Sequence, residues 1–272
     1  HSCLHWSEDK RQGMEDFYAL ATADYRHLAE ARDWRAFLEE RQRAVGERPV
    51  RLLDVACGSG KFPAALVRHA GVSAAAVRPI DYALLDPSPF SLAEARAALS
   101  PPFEAGADFE VPLQDLDVPE GAFDVVWATH ALYAIPEEAL PAALERFLSA
   151  MRGGVGVIAH AASDSHYMRW QALYREAFQD GAGAPFTSAE AILAALERLG
   201  ASVETRFLTY ETTAPAGEDE RVEGFLQRCV FDDSVPLETM RAREPTAGYL
   251  AACRDASGWR FPQRVALVTI RA

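Results

Sequence analysis

Short apolar runs alternate with longer segments of helical periodicity through most of the chain. The runs predict seven strands, over residues 48–56, 81–85, 107–111, 123–128, 155–160, 202–213 and 264–271. Apolar spacings of three and four predict helices over 15–45, 61–69, 91–99, 137–151, 166–179 and 187–199, with further helical material up to about residue 254. This order predicts an α/β fold with a doubly wound, mostly parallel sheet, and it allows an antiparallel edge formed by the last strands.

The composition narrows the class of protein. Apolar residues make up 49% of the 272 residues and charged residues 25%, which is typical of globular proteins. No apolar run approaches the ~20 residues of a membrane helix, and the N-terminal HSCLHWSEDK has no apolar core of the kind that signal peptides carry. The interpretation is one domain spanning 1–272, because no repeat or linker divides it.

Charge and cysteine spacing restrict the partners. The net charge of −13 argues against nucleic acid or an anionic membrane, since both attract basic surfaces. The four cysteines are far apart without a CxxC pair, so we expect no metal site and a reducing, cytoplasmic location. A small molecule is the expected partner of a monomer or homodimer.

A glycine-containing loop follows the first predicted strand. In LLDVACGSGKF, Gly58 and Gly60 lie between a strand and a helix, where open α/β sheets bind ligands. A dinucleotide fingerprint requires a third glycine where Pro63 stands. A phosphate-binding loop requires Ser or Thr where Phe62 stands. Neither of those cofactor classes is indicated, and a tight strand-to-helix turn is the simpler alternative.

The second and fourth predicted strands end in polar residues. Asp86 ends the second strand, in LLDPS, where a carboxylate can accept hydrogen bonds from a ribose diol or can cap a turn before Pro87. The fourth strand runs into Thr129, His130 and Tyr133, in FDVVWATHALYAIP. These side chains either cap the end of that strand or hold a ligand.

Together these features resemble the class I S-adenosylmethionine-dependent methyltransferases. The motif DVACGSG from Asp54 to Gly60, the LLD ending at Asp86 and the stretch VPEGAFDVVWATHAL carry the resemblance. It implies a Rossmann-like fold with a seven-stranded sheet, a helical cap or lid over 1–47, a cofactor-binding core over 48–160, and substrate-side helices and C-terminal strands over 161–272. It also implies S-adenosylmethionine as cofactor and S-adenosylhomocysteine as product. The cofactor residues it implies are Asp54, Ala56, Cys57, Gly58, Gly60, Asp86, Ser88, Ser91, Gln114, Asp115, Leu116 and Thr129.

The flanking segments are similar to histamine N-methyltransferase and its relatives. The segments LHWSEDKRQGMEDF, ALYAIPEEALPAALERFLSAM, ASDSHYMRWQALY and RVALVTIRA follow that family's order. This closer resemblance implies a small-molecule methyltransferase with nitrogen preferred as acceptor; the alternatives are an O-methyltransferase of secondary metabolism and a non-methylating enzyme or binding module on the same fold. The substrate residues it implies are Trp6, Glu8, Asp9, Tyr18, His130, Tyr133, Trp170 and Gln263.

His130 is the candidate catalytic residue. An imidazole with an ordinary pKa near ~6.5 can take a proton from the acceptor or can orient it through a hydrogen bond. It can also cap the strand end without touching a ligand. His160, at the end of the fifth strand, is expected to be structural.

Overall fold

The computed structural model describes residues 11–271, and its centre is a mixed sheet. The strands are β1 (Val50–Val55), β2 (Ile80–Leu85), β3 (Phe103–Phe109), β4 (Val125–Thr129), β5 (Val155–Ala161), β6 (Ser202–Pro215), β7 (Arg254–Asp255) and β8 (Gly258–Arg271). Their order in the sheet is β3-β2-β1-β4-β5-β8-β6, and the two-residue β7 pairs with β8. The pairs among β1 to β5 are parallel, whereas β8 runs antiparallel to β5 and β6. The mostly parallel sheet and its antiparallel edge are therefore confirmed.

Helices cover both faces of the sheet and the carboxyl ends of its parallel strands. They are α1 (Arg11–Glu30), α2 (Trp34–Val45), α3 (Lys61–His69), α4 (Pro89–Ala98), α5 (Leu140–Ala150), α6 (His166–Phe178), α7 (Ala189–Arg198), α8 (Asp219–Arg228), α9 (Leu237–Ala242) and α10 (Thr246–Ala252). One buried cluster packs α2, α3 and α4 against the sheet, and a second packs α5 and α7 against the other face. A third joins α1 to α6, α8, α9 and α10. The helix α1 contacts both α3 and α8, so it spans the carboxyl ends of the strands.

Two strands are longer than the apolar pattern predicts. The strand β3 begins at Phe103 rather than Ala107, and Phe103 pairs with Ile80. The strand β8 begins at Gly258 rather than Arg264, although Pro262 lies within it. The pairing with β5 covers β8 only from Val265 to Arg271, so Pro262 lies in the part of β8 outside that ladder and its missing amide hydrogen costs little there. Among residues 11–271, no helix is long and apolar enough to cross a membrane.

Candidate active site

A cavity of about 290 Å³ opens at the carboxyl ends of β1, β2, β4 and β5, beneath α1. Loops after the strands form its floor, and α1, α6 and the end of α8 contribute its upper wall. Ten predicted site residues border it: Tyr18, Ala56, Cys57, Gly58, Asp86, Ser91, Gln114, Thr129, His130 and Tyr133. The parallel order of the strands brings these residues together, because strand ends meet at one edge of the sheet.

Hydrogen bonds tie the β1–α3 loop to the end of β2. The Cys57 amide donates to the Leu85 carbonyl at 3.1 Å. The Gly58 amide donates to Asp86 Oδ2 at 3.2 Å, and the Ser88 amide donates to Asp86 Oδ1 at 2.9 Å. Burial raises the pKa of Asp86, and these two amide hydrogen bonds partly offset that rise. Asp86 therefore makes the predicted turn and still borders the cavity with the same carboxylate.

The two positions of the loop require glycine for different structural reasons. Both adopt positive φ, +52° at Gly58 and +67° at Gly60. A Cβ at Gly58 would meet only the Tyr18 hydroxyl, at 3.6 Å, so the backbone there is accessible from the cavity. A Cβ at Gly60 would lie 3.1 Å from the Ala95 backbone and the Ala98 side chain. Gly60 does not border the cavity; it allows α3 and α4 to pack closely.

Asp54 lies behind the loop rather than in the cavity. Its Oδ2 accepts a hydrogen bond from the Tyr82 hydroxyl at 2.7 Å, and Trp127 Nε1 donates to that hydroxyl at 3.2 Å. Burial raises the pKa of Asp54 to about 7. In this arrangement its carboxylate is hydrogen-bonded within the sheet, to β2.

The loop after β3 and the start of α4 complete this end of the cavity. Gln114 borders the cavity, whereas Asp115 is exposed and Leu116 is packed in the second buried cluster. Of the implied cofactor residues in this loop, only Gln114 borders the cavity. Ser88 caps α4: its hydroxyl accepts a hydrogen bond from the Ser91 amide at 3.2 Å. Ser91 borders the cavity, whereas Ser88 does not.

Tyr18 and Lys61 close the cavity above the glycine loop. Burial raises the pKa of Tyr18 to about 12, so its hydroxyl stays protonated. The ammonium of Lys61 lies 4.6 Å from the centre of the Tyr18 ring. The sequence resemblance assigns Tyr18 to the substrate, but it lies against the glycine loop.

The tip of β4 carries a strained residue. His130 has φ +53°, a left-handed conformation that only a few per cent of non-glycine residues adopt. Its amide donates to the Ala159 carbonyl at 2.8 Å, which fixes the backbone, and its Nε2 is buried without a hydrogen-bond partner. Burial lowers the pKa of His130 to about 3, with a smaller contribution from His160. The imidazole is therefore neutral at neutral pH.

Aromatic rings enclose His130 from two helices. The Tyr25 ring of α1 meets it edge-on at 6.1 Å between centroids, and the Tyr167 ring of α6 lies at 6.3 Å. Tyr133 stacks on Phe231 at 5.9 Å and contacts Phe186 at 5.1 Å. All five rings border the cavity, whose lining at this end is largely aromatic.

Asp24 is a buried carboxylate within this aromatic wall. Only 3% of the residue is exposed, and it borders the cavity. The Tyr167 hydroxyl donates to Oδ2, while Oδ1 has no hydrogen-bond partner and the nearby Tyr210 hydroxyl also has none. Burial raises the pKa of Asp24 to about 6, and the Tyr167 hydroxyl partly offsets this. The Tyr210 hydroxyl lies close enough to the carboxylate to lower its pKa as well, although no hydrogen bond of good geometry joins them. No ion pair to Asp24 is found among residues 11–271.

His160 also borders the cavity, although the sequence predicts a structural role for it. Its Nε2 donates to the Thr187 carbonyl at 2.8 Å, which leaves Nδ1 as a buried acceptor without a partner. Burial lowers the pKa of His160 to about 4. Two neutral imidazoles with unpartnered nitrogens thus belong to the same end of the cavity.

Several predicted substrate residues lie elsewhere. Trp170 is fully buried in the third cluster, its indole donates to the Leu226 carbonyl at 2.9 Å, and it does not border the cavity. Gln263 is buried and bonded to Ser165 and Thr212, away from the cavity lining. The structure places both side chains in the core, away from the cavity lining, and their substrate role stays a prediction. Trp6, Glu8 and Asp9 lie outside the described residues.

Sequence reasoning missed Asp24, although a signal was present. Asp24 lies four residues from both Leu20 and Leu28, on the buried stripe of α1. A carboxylate at the centre of an apolar stripe is unusual, because burying a charge without a partner is costly. The aromatic residues Phe186 and Phe231 carry no comparable signal, since they come from loops far along the chain.

The residues at the glycine-loop end fit S-adenosylmethionine. A carboxylate offers about four acceptor positions, and backbone amides occupy two of those on Asp86. Gly58 leaves its backbone open, and Gln114 presents an amide at the other side. These are the groups that a ribose diol and an adenine can bind.

The family model for methyltransferase domains matches residues 24–206, more than half of the chain. No curated protein sequence matches the chain significantly. Among solved structures, a provisionally assigned methyltransferase from Bacillus halodurans is 15% identical with a TM-score of 0.57, covering 86% of this chain and 97% of that one. Magnesium protoporphyrin IX methyltransferase from Synechocystis, with bound S-adenosylhomocysteine, is 11% identical with a TM-score of 0.55. The match covers 98% of this chain and 96% of that one.

The plantazolicin methyltransferase, in complex with S-adenosylhomocysteine, is 12% identical with a TM-score of 0.51, covering 99% of this chain and 93% of that one. At these identities the likeness concerns the fold. The narrower resemblance to histamine N-methyltransferase is not shown by any of these comparisons and stays a prediction. The family match and the fold agree with the glycine loop and Asp86: the chain belongs to the methyltransferase domain family, and it is an S-adenosylmethionine-dependent methyltransferase.

Proposed function

We propose that this enzyme methylates a nitrogen of a small amine that enters the cavity as a cation. The observation that carries the proposal is Asp24, a buried carboxylate with an unpartnered oxygen in an aromatic wall. The sequence resemblance to histamine N-methyltransferase also favours a nitrogen acceptor.

The two ends of the cavity suit the two reactants. We assign Asp86 to the ribose, Gln114 to adenine and the Gly58 backbone to the methionine part. S-adenosylmethionine supplies a methyl group made electrophilic by its sulfonium. The protein must hold the acceptor in line with that methyl and keep water out, and such alignment can contribute about 7–11 kcal/mol in favourable systems.

Asp24 suits an ammonium for electrostatic reasons. A desolvated carboxylate gains most from a cation that comes to its unpartnered oxygen. Tyr25 and Tyr167 border the same cavity, and cation–π attraction to an aromatic ring is on the order of 0.5–2 kcal/mol. Two basic side chains border the cavity: Lys61 lies against the Tyr18 ring, and Arg228 interacts electrostatically with Tyr133 and Tyr18. Neither contributes to the pKa of Asp24.

Asp24 can also remove the proton that blocks the nitrogen lone pair. Burial raises the pKa of Asp24 and so strengthens Oδ1 as a base, while the bound ammonium itself lowers that pKa until its proton is transferred. The N–H bond breaks as the O–H bond forms, and the nitrogen is left neutral. The surrounding aromatic rings favour this neutral pair over the separated charges.

His130 is better suited to orienting the acceptor than to taking its proton. With a pKa of about 3 it is too weak a base to deprotonate an amine. Its buried Nε2 can form one hydrogen bond with the acceptor. The strained backbone at this residue holds the imidazole at the tip of β4.

An oxygen acceptor is the second candidate. The unpartnered nitrogens of His130 and His160 can accept hydrogen bonds from a hydroxyl group, which favours a phenol or alcohol. In that case the substrate would leave Asp24 without a cation.

Matched ligands separate the two candidates. Calorimetry on the protein loaded with S-adenosylhomocysteine would compare tryptamine, tryptophol and indolepropionate, and then phenethylamine, phenethyl alcohol and hydrocinnamate. We expect each ammonium to bind at least tenfold more tightly than its alcohol. Asp24→Asn should bring the two affinities together, and Glu30→Gln, which removes an exposed carboxylate from the same helix, should not. Transfer from labelled S-adenosylmethionine, followed by mass analysis of the product, would locate the new methyl group.

The outcomes are distinct. Absence of S-adenosylhomocysteine binding would contradict the methyltransferase function itself. Normal binding of that ligand, with no cation preferred over its alcohol, would contradict the amine acceptor and leave the oxygen acceptor.

A further inference from the structure

The first half of β6 is an uncovered sheet edge. Residues 202–207 are all exposed, so neither face of this segment is covered by a helix. Their partners on β8 from Ala266 to Ile270 are buried. Within residues 11–271, β6 pairs with β8 alone, and its other edge therefore offers unpaired backbone groups.

This edge carries the exposed large apolar side chains of the described structure. Val203 is 39% exposed and Phe207 is 38% exposed. Because side chains alternate along a strand, Val203, Thr205 and Phe207 lie on one face and Glu204 and Arg206 on the other. An edge with apolar residues on one face and opposite charges on the other is suited to pairing with another strand.

The segment is complementary to itself in one antiparallel register. With Thr205 opposite Thr205, Val203 lies opposite Phe207 and Glu204 lies opposite Arg206, each pair occurring twice. Centring the pair on Glu204 or on Arg206 would place like charges opposite each other, which is destabilising. Only the Thr205 register matches both the charges and the apolar side chains.

We propose that β6 of one copy pairs with β6 of a second copy in this register, which joins the two sheets into one. The side chains of Glu204 and Arg206 can form the ion pairs of this register. Glu204 is 77% exposed and meets Arg271 only at 3.8 Å. Arg206 donates from one nitrogen to the Ala31 carbonyl, and a guanidinium has further donors for a carboxylate. A symmetric contact of this kind closes after two copies and leaves the cavity of each copy separate.

Charge reversal tests the register. Sedimentation analysis of the full chain should show a dimer that dissociates on dilution. Glu204→Arg alone places arginines opposite each other, and Arg206→Glu alone places glutamates opposite each other. We expect each to weaken the dimer at least tenfold, and an equimolar mixture of the two variants to form a heterodimer. Arg146→Glu, which repeats the charge change of Arg206→Glu at an exposed position of α5, should leave the dimer intact.

The charges could instead serve to block edge pairing, as they do in many sheets. In that case the wild-type chain stays monomeric at high micromolar concentration, which overturns the proposal. A dimer that neither reversal weakens also overturns it, because the contact then lies elsewhere. Thermal unfolding of each variant identifies a loss of fold, and the heterodimer formed on mixing remains informative because both variants must be folded to form it.

Discussion

The two ends of the cavity differ in how their polar groups are satisfied. At the glycine-loop end, Asp86 accepts hydrogen bonds from two backbone amides, and hydrogen bonds join the loops after β1 and β2. At the aromatic end, Asp24 Oδ1, His130 Nε2 and His160 Nδ1 are buried without partners. Buried polar atoms are nearly always hydrogen-bonded in folded proteins.

This difference suggests two roles for the polar groups: those at the first end hold the loops in place, and those at the second end are left for the proposed acceptor. The hydrogen bonds at the first end shape a surface for a cofactor whose chemistry is fixed. A buried polar atom without a hydrogen bond is costly, and a ligand that supplies the missing partner removes that cost. In the proposed function, the polar groups of the acceptor bind to these three atoms.

The largest effect should come from removing the carboxylate that links loop and ligand. We expect Asp86→Ala to weaken S-adenosylhomocysteine binding about a hundredfold, or ~2.7 kcal/mol, because charge-assisted hydrogen bonds to the ligand and to Gly58 are lost together. Calorimetry measures the change. Glu104→Gln removes an exposed carboxylate from β3 and is the control. Unchanged affinity in Asp86→Ala would contradict the assignment of Asp86 to the ribose.

A smaller effect is expected at the aromatic end. For the amine that is methylated fastest, His130→Ala should lower kcat/KM about tenfold through loss of one orienting hydrogen bond, and His130→Gln should recover most of it. The ratio of wild-type to His130→Gln rates should stay constant from about pH 6 to about pH 9, because an imidazole with a pKa of about 3 does not titrate there. A ratio that rises with pH around neutrality would instead identify His130 as a base.

The stability of the same variant checks the pKa independently. The unfolded chain takes up a proton on His130 below its ordinary pKa of 6.5, whereas the folded chain does so only near 3. This histidine therefore destabilises the fold as the pH falls between those values. In His130→Gln this loss is absent. As the pH falls below about 6, the free energy of unfolding of the variant should therefore rise relative to that of the wild type, by about 1.4 kcal/mol per pH unit. Parallel curves of unfolding free energy against pH would contradict the lowered pKa.

The glycine-loop end could be predicted from the sequence because its motif is local. Asp86, Gly58 and Gln114 follow strands that the apolar pattern identifies, and parallel pairing brings strand ends together. Side-chain direction was not predictable in the same way: Asp54 belongs to the motif, yet its carboxylate points to Tyr82.

The aromatic end draws on residues that are far apart in the chain and ordinary in type. Tyr133, Trp170 and Phe186 have the same apolar character, but only Tyr133 and Phe186 border the cavity, whereas Trp170 is core. Which aromatic residue faces a cavity depends on how α6 and α8 pack over the sheet, and periodicity does not contain that information. The positive φ of His130 is likewise set by the contact between β4 and β5.

The smallest expected effect tests whether both loop glycines belong to the ligand surface. Gly60→Ala should destabilise the fold by about 1–2 kcal/mol, because a Cβ in a left-handed conformation would also press on Ala95. Affinity for S-adenosylhomocysteine should stay unchanged. Gly200→Ala, at the left-handed C-terminal end of α7, has a similar φ of +72° and nothing within 4 Å, so it measures the backbone cost alone and should lose less stability. Urea unfolding and calorimetry give the two quantities. A Gly60→Ala protein that keeps its stability but loses affinity would show that Gly60 contacts the cofactor, as the sequence resemblance implies, and would extend the ligand surface behind the loop.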